Sequence, residues 1–247
     1  MSEMRSQSDY LQRALLYDML AQFYKYTYPN LHIHYYGKHL KYMKKAMYMI
    51  RSTQQEDAKV RFVHTSYDTP NVDIYINGQR TFRELPFKNI STEHTLKAGK
   101  YHIDIYQAGN SVDSILNKKI TIEPGKSYTL AVIDSVQKLR LLQFENQPEV
   151  PANEAKVRFI HLSPDSETFD VAVKDRDVIF PNVSYKQATE YLGLTPMTVD
   201  LEVRETGSRT VLLPMPKMQF KANESYTIIF VGLTKDNSEF QFISIKD

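Results

Sequence analysis

Two segments of the chain place a histidine, a serine and an aspartate at alternate positions. They are His64, Ser66 and Asp68 in the first segment and His161, Ser163 and Asp165 in the second. A hydrolase uses these residue types, but its nucleophile, base and orienting carboxylate must converge and usually come from separate elements. Along one extended segment, every second residue is about 6.6 Å further on. We therefore predict that the serine and aspartate cap the turn after a strand, and that the histidine donates to a neighbouring loop.

A second aspartate in each half could take part in a calcium site. Asp73 and Asp170 lie within apolar stretches, and Asp73 could share a cation with Asp68. Calcium takes about six to eight oxygen ligands, whereas only two carboxylates can be assembled in each half. The pattern favours hydrogen bonds from turn amides to these aspartates.

Three histidines near the start of the chain are the candidates for zinc. His32, His34 and His39 are separated by two and five positions, whereas ligands on a helix pair at i, i+3 or i+4. No acidic residue lies nearby to complete a site. Zinc is therefore not favoured, and the sequence predicts no cofactor.

An internal repeat organises most of the chain. Residues 58–68 recur as residues 155–165 with eight of eleven positions identical at an offset of 97, and weaker matches follow at offsets of 97 and 98. We predict two copies of one domain, at 58–147 and 155–247, joined by a short linker over 148–154 that contains two prolines. Apolar and polar residues alternate in each copy, and turn pairs such as Asn77-Gly78 separate the alternating stretches. This pattern predicts antiparallel β-sandwiches.

The first 55 residues follow a helical period instead. This region has eight lysines and arginines against three acids, and nine of the chain's 17 tyrosines. Two apolar stripes, broken at Pro29, predict an α-helical hairpin. The stripe of the second helix is a helical seam that would pack the two helices together, pack onto the first sandwich or associate with another copy. It consists of Ile33, Tyr36, Leu40, Met43, Met47 and Ile50, widened by the row Tyr35, His39, Tyr42, Ala46 and Met49. The polar side offers a candidate interaction face: His34, Lys38, Lys41 and Lys45.

Composition excludes several protein classes. The chain of 247 residues has no cysteine, so it has no disulfide, thiolate site or cysteine nucleophile. A net charge of +2 does not argue for nucleic acid. The first residues lack the uninterrupted apolar run of a signal peptide, and no stretch has the roughly 20 apolar residues of a membrane span. These observations predict a protein that is cytoplasmic as synthesised.

Both repeats carry a motif with family resemblance. The stretch from Val60 to Tyr75 resembles the signature of the bacterial domain-of-unknown-function family numbered 4397, which runs Val-Arg-x-x-His-x-Ser-Pro-Asp-x-Pro-x-Val-Asp-Val. The second copy matches at Val157-Arg158, His161, Ser163-Pro164-Asp165 and Asp170-Val171. Two departures are Tyr67, where the family has proline, and Glu167-Thr168 in place of the later proline. The resemblance implies tandem immunoglobulin-like β-sandwiches and supplies no activity.

Three function classes follow from these patterns. The leading interpretation is a non-enzymatic bacterial structural or protein-interaction protein that binds a protein partner, or itself, through the hairpin. The missing export signal and the tyrosine-rich composition suggest the cell envelope or a spore layer as its setting. A carbohydrate- or cell-wall-binding module is the alternative, with Tyr67, Tyr75, Tyr106 and Tyr191 as stacking platforms. A hydrolytic enzyme is disfavoured, as are nucleic-acid and membrane binding.

Overall fold

A computed structural model describes residues 7–53, 56–234 and 240–247, with side-chain surroundings for residues 8–47 within the first range. The chain divides into two compact units, Met1–Glu56 and Asp57–Asp247, which we call the hairpin and the β unit. The predicted fold class is confirmed, since the chain is mainly β and a helical hairpin precedes two sandwiches. No helix in the described ranges is long and apolar enough to cross a membrane.

The hairpin consists of α1 (Gln7–Tyr24) and α2 (Pro29–Thr53). Proline suits the first turn of a helix, where its missing N–H costs no hydrogen bond. The fully buried apolar residues among the described side chains of this unit are all alanines, at positions 14, 21 and 46. Between them, Tyr17 stacks on Tyr35 and Tyr42 with ring centroids 6.2 and 5.4 Å apart. The two helices therefore pack through small residues and interleaved tyrosine rings.

Of the partners that the sequence left open for the seam of α2, α1 is not the one that covers it. Ile33, Leu40 and Met47 are exposed, whereas the flanking row with Tyr35, His39 and Tyr42 faces α1; the side chains of residues 49 and 50 lie outside the description. Alanines on both helices leave space for the rings of that row. Periodicity identifies residues that share a face, but it does not say which face has a partner.

The first repeat forms a two-sheet sandwich. Its sheets have the strand orders β4-β1-β7-β8 and β3-β2-β5-β6. The strands are β1 (Ala58–His64), β2 (Val72–Ile76), β3 (Gln79–Leu85), β4 (His94–Leu96), β5 (Gly99–Gln107), β6 (Leu116–Ile122), β7 (Ser127–Ile133) and β8 (Arg140–Asn146). A short 3₁₀ turn, Val136–Lys138, joins the last two. Inward side chains such as Phe62, Ile74 and Leu130 fill the space between the sheets.

The second repeat has the same topology. Its sheets have the strand orders β12-β9-β15-β16 and β11-β10-β13-β14. The strands are β9 (Ala155–His161), β10 (Thr168–Val173), β11 (Val178–Ser184), β12 (Leu192–Leu194), β13 (Met197–Glu205), β14 (Val211–Phe220), β15 (Glu224–Val231) and β16 (Gln241–Lys246). Its core contains Phe159, Phe169 and Phe230. Asn223 takes the positive φ that Gly125 has in the first copy, 62° against 69°, so the turn survives without its glycine.

Two strand pairs depart from the antiparallel prediction. β1 pairs with β7, and β9 with β15, in parallel. These strands are buried on both faces, which is typical of parallel pairing. One face of these strands lines the core of its own sandwich. On the other face, residues from both repeats form one apolar cluster, in which Val63 and Ile133 of the first repeat meet Ile160 and Ile229 of the second. The two sandwiches therefore share a core within the β unit.

Candidate functional site

In the first motif, His64 and Ser66 are fully buried and Asp68 is exposed, and all three bind backbone atoms. His64 Nε2 donates to the Pro70 carbonyl at 3.1 Å. The Ser66 hydroxyl donates to the Asp134 carbonyl after β7. Asp68 Oδ1 accepts the Val136 N–H at 2.8 Å. These bonds fasten the loop between β1 and β2 to the loop after β7.

The second motif repeats this arrangement. His161 Nε2 donates to the Ser166 carbonyl at 3.0 Å, and its Nδ1 accepts the Ser163 N–H at 3.2 Å. The Ser163 hydroxyl donates to the Gly232 carbonyl. Asp165 accepts both the N–H and the hydroxyl of Thr234. In both copies the serine hydroxyl is directed at a backbone carbonyl instead of at the histidine, so no nucleophile and base are paired.

Burial also makes these histidines poor bases. Both rings are inaccessible to solvent. Removal from water disfavours the charged form and lowers the pKa of His64, and it lowers the pKa of His161 to about 4. His64 Nδ1 has no hydrogen-bond partner in the part of the chain that the structure describes. The arrangement suits a neutral, packed imidazole.

Asp73 in β2 and Asp170 in β10 stabilise β-bulges between each of these strands and the neighbouring strand of its sheet. Asp73 accepts the Glu84 N–H at 2.7 Å, and Asp170 accepts the Asn182 N–H at 2.8 Å. Glu84 and Asn182 both have positive φ, and the strand register shifts beside each aspartate. Asp170 also accepts the Gly207 N–H at 3.0 Å. Because Asp68 binds a different loop, the carboxylates are not arranged as calcium ligands.

The three histidines of the hairpin do not converge either. His32 and His39 direct Nδ1 at the Ala21 and Ala14 carbonyls of α1, at 2.8 and 3.0 Å. His34 is exposed and packs edge-on against Tyr35. Across residues 7–53, 56–234 and 240–247, no group of three histidine, aspartate or glutamate side chains could hold a metal ion.

The candidate interaction face is partly engaged inside the hairpin. Lys38 lies over the rings of Tyr17 and Tyr35, with Nζ 5.2 and 5.6 Å from their centroids. Lys45 lies in the same way over Tyr10 and Tyr42. His34 and Lys41, by contrast, are exposed, and no ring contact involves Lys41 among the described residues. Two of the four predicted residues thus contribute cation–π contacts to the hairpin.

Large apolar side chains are exposed on both helices. Leu15, Met19 and Phe23 of α1 are 64%, 68% and 73% exposed. Ile33 and Leu40 of α2 are 67% and 50% exposed. Clustered exposure of this kind marks an interaction surface more often than a free surface.

The tyrosines proposed as sugar platforms are placed differently from one another. Tyr67 is 40% exposed. Tyr75 and Tyr106 are half-buried and meet edge to face at 4.9 Å, so one ring covers a face of the other. Tyr191 donates to the Asp247 carboxylate and lies against Arg158. They form no shared aromatic platform.

The repeated motif decides the family. The model of the family described as Domain of unknown function (DUF4397) matches residues 58–172 and 155–247. The chain belongs to this family. The match covers both DUF4397 repeats and leaves the hairpin outside.

Other comparisons add little to the DUF4397 assignment. No curated protein matches the chain. The TIE protein of Bacillus anthracis is 11% identical, with a TM-score of 0.25, over 71% of this chain and 34% of that one. This chain therefore spans about a third of that protein. A fimbrial assembly protein from Parabacteroides distasonis is 10% identical, with a TM-score of 0.24, over 77% of this chain and 99% of that one. Scores of this size support no inference about function.

The DUF4397 arginine of each repeat binds the last strand of the other repeat. Arg61 donates to the Lys246 carbonyl at 2.8 Å and to the Asp247 carboxylate. Arg158 donates to the Glu145 carbonyl at 2.6 Å and to Asn146 Oδ1 at 2.7 Å. We call this reciprocal pair the arginine clamp. The sequence contained its signal, because a charged residue inside a buried apolar strand requires a partner.

A second contact between the DUF4397 repeats centres on Asp134. Its carboxylate accepts the Tyr185 hydroxyl at 2.5 Å and pairs with Lys186 Nζ at 2.9 Å. Burial raises the pKa of Tyr185, which keeps it a neutral donor. Asp134 and Lys186 border an open cleft of about 240 Å³ that Tyr67 and Arg140 also line. No pattern along the chain predicted this contact, since the partners are 51 positions apart.

Proposed function

We propose that this is a non-enzymatic bacterial structural protein whose β unit is a rigid scaffold and whose hairpin binds another protein. The observation that carries the proposal is the exposure of large apolar side chains on both helices. The six motif residues support the non-enzymatic part of the proposal. His64, Ser66 and Asp68, and their equivalents in the second repeat, are committed to backbone contacts that hold loops in place.

The setting we propose is the cell envelope or a spore layer. Structural proteins of such layers act by binding their neighbours, and the tyrosine-rich hairpin offers an adhesive surface. We do not propose a sugar-binding module, because the four candidate tyrosines form no common platform.

In-cell photo-crosslinking tests the proposal. A photo-crosslinking residue is placed at Leu15 on the hairpin and, as the matched control, at Val112, an exposed apolar residue of the β unit at 83% exposure. We expect protein adducts from position 15 and few from position 112, in envelope or spore fractions. Adducts only from position 112, or from neither, would contradict the proposal.

A further inference from the structure

In α2, the exposed apolar row lies on the opposite side of the helix contact from Lys38 and Lys45. Each helical residue advances about 100° around the axis. Lys38 and Lys45 precede His39 and Ala46 of the contact row, whereas Leu40 and Met47 follow them. The lysines and the exposed apolar row therefore lie on opposite flanks of the contact. In an antiparallel pair, Leu15 of α1 lies on the same side as Leu40.

We define the apolar face by the residues that share this side. It consists of Leu11, Leu15, Ile33, Tyr36, Leu40 and Met47. Five of the six are between 45% and 67% exposed, and the first is half-buried. Ile33, Leu40 and Met47 recur every seventh residue, which is the spacing of a seam between packed helices.

We propose that the apolar face binds the same face of a second copy of this chain, so that two hairpins form a four-helix bundle. This inference rests on the proposed function and names its partner. None of its six residues is charged, and the two charged residues that the same helical spacing places beside them, Asp18 of α1 and Lys44 of α2, have opposite signs. Two copies of the face can therefore meet without net repulsion. The lysine rows of the two copies then remain on the outside, far apart, which matters because the first 55 residues carry eight basic and three acidic residues.

The size of the face agrees with a dimer. From its exposed fractions, the face presents on the order of 500 Å² of side chain per copy, and a pair would bury about 1,000 Å², where specific interfaces begin. The hairpin also needs further packing, because its fully buried apolar residues, among the described side chains, are three alanines. A two-helix unit of this length rarely has a sufficient core of its own.

A membrane surface fits the face less well than a second copy does. Amphipathic helices that bind anionic lipid carry their lysines beside the inserted face, near the headgroups. Here Lys38 and Lys45 are on the opposite flank and lie over tyrosine rings. Insertion of the apolar face would direct these charges away from the lipid.

The oligomeric state of the purified full chain tests the proposal. Light scattering and sedimentation equilibrium should give a dimer at micromolar concentration. Leu40→Glu should weaken association at least tenfold, because it buries a carboxylate at the interface. Lys41→Gln is the matched control, since it is adjacent, changes the charge equally and lies on the other flank. It should leave the dissociation constant unchanged, and circular dichroism should show both variants folded.

Three results would overturn the proposal. These are a monomeric wild-type chain, equal effects of Leu40→Glu and Lys41→Gln, and a monomer that floats with phosphatidylserine vesicles. A monomer that still crosslinks from position 15 to a different protein would remove the second copy as partner but leave the proposed function standing. Absence of both association and crosslinks would remove both.

Discussion

The β unit and the hairpin use the same kinds of residue in opposite ways. In the β unit, apolar side chains such as Phe62 and Phe159 are fully buried, and buried polar groups such as Arg61 have defined partners. In the hairpin, tyrosines and alanines make the internal contact, and leucines face outward. Contiguous large apolar side chains on a surface are typical of a site that binds a partner. This difference is the basis of the proposal that the hairpin binds a partner and that the β unit is a scaffold.

The largest effect should come from breaking the arginine clamp of the β unit. Arg61→Met leaves the Asp247 carboxylate, whose side chain is inaccessible to solvent, without its charged partner. We expect a loss of about 3–5 kcal/mol in the free energy of unfolding, measured with urea. Arg158→Met should cost less, about 1–3 kcal/mol, because Asn146 is neutral.

Two companion variants sharpen the clamp experiment. Adding Asp247→Asn to Arg61→Met should recover part of the loss, since the side chain that has lost Arg61 is then neutral. Lys59→Met removes a cation from a solvent-exposed pair with Glu93 and should change stability by less than about 1 kcal/mol. If Arg61→Met were as mild as Lys59→Met, the two repeats would not depend on the clamp.

The pH dependence of stability tests the buried histidines of the scaffold. The folded state lowers the pKa of His161 from 6.5 to about 4, so the unfolded chain binds the proton more readily. Stability should be constant above the unfolded pKa and fall as the pH drops from about 6.5 towards 4, by about 2 kcal/mol between pH 7 and pH 5. His64 contributes in the same direction.

Substitution of a buried histidine of the β unit and of an exposed histidine of the hairpin should affect the pH profile of stability differently. His161→Gln should flatten the pH profile between pH 7 and pH 5, whatever its effect on stability at neutral pH. His34→Gln, at an exposed position of the hairpin, should leave the profile unchanged. Equal profiles for wild type and His161→Gln would show that this imidazole does not control the transition.

Local patterns predicted the elements of the fold, because they depend on neighbours in the chain. Alternation around Ile74 and the Asn77-Gly78 turn indicated the β2–β3 hairpin, and the repeat indicated two equal domains. The parallel pairing of Val60 with Tyr128 could not be obtained in this way. Its partners are 68 positions apart, and strand alternation does not specify direction.

In the candidate site too, contacts set by neighbours in the chain could be predicted, whereas contacts between distant segments could not. Spacing along one strand predicted that Ser66 and Asp68 bind backbone, which is where the structure places them. The sequence also grouped Ile33 with Leu40 as one face, but it left the partner of that face open, and the structure shows that the face does not contact α1. Burial is decided by which surfaces meet, and the small alanines of α1 were the overlooked signal.

The smallest effect should come from the lysines of the hairpin, where the contacts are superficial. Lys38 is half-buried over two tyrosine rings, whereas Lys41 is exposed. Lys38→Gln should therefore destabilise the helix pair by about 0.5–1 kcal/mol, seen as faster amide hydrogen exchange around Tyr17 and Tyr35. Lys41→Gln should leave these rates unchanged. The unfolding of the β unit should not respond to either change, because stability in the hairpin is local. Equal exchange in both variants would mean that the tyrosine stack holds the helices together without the cation, and a response of the β unit would mean that the two regions are energetically coupled.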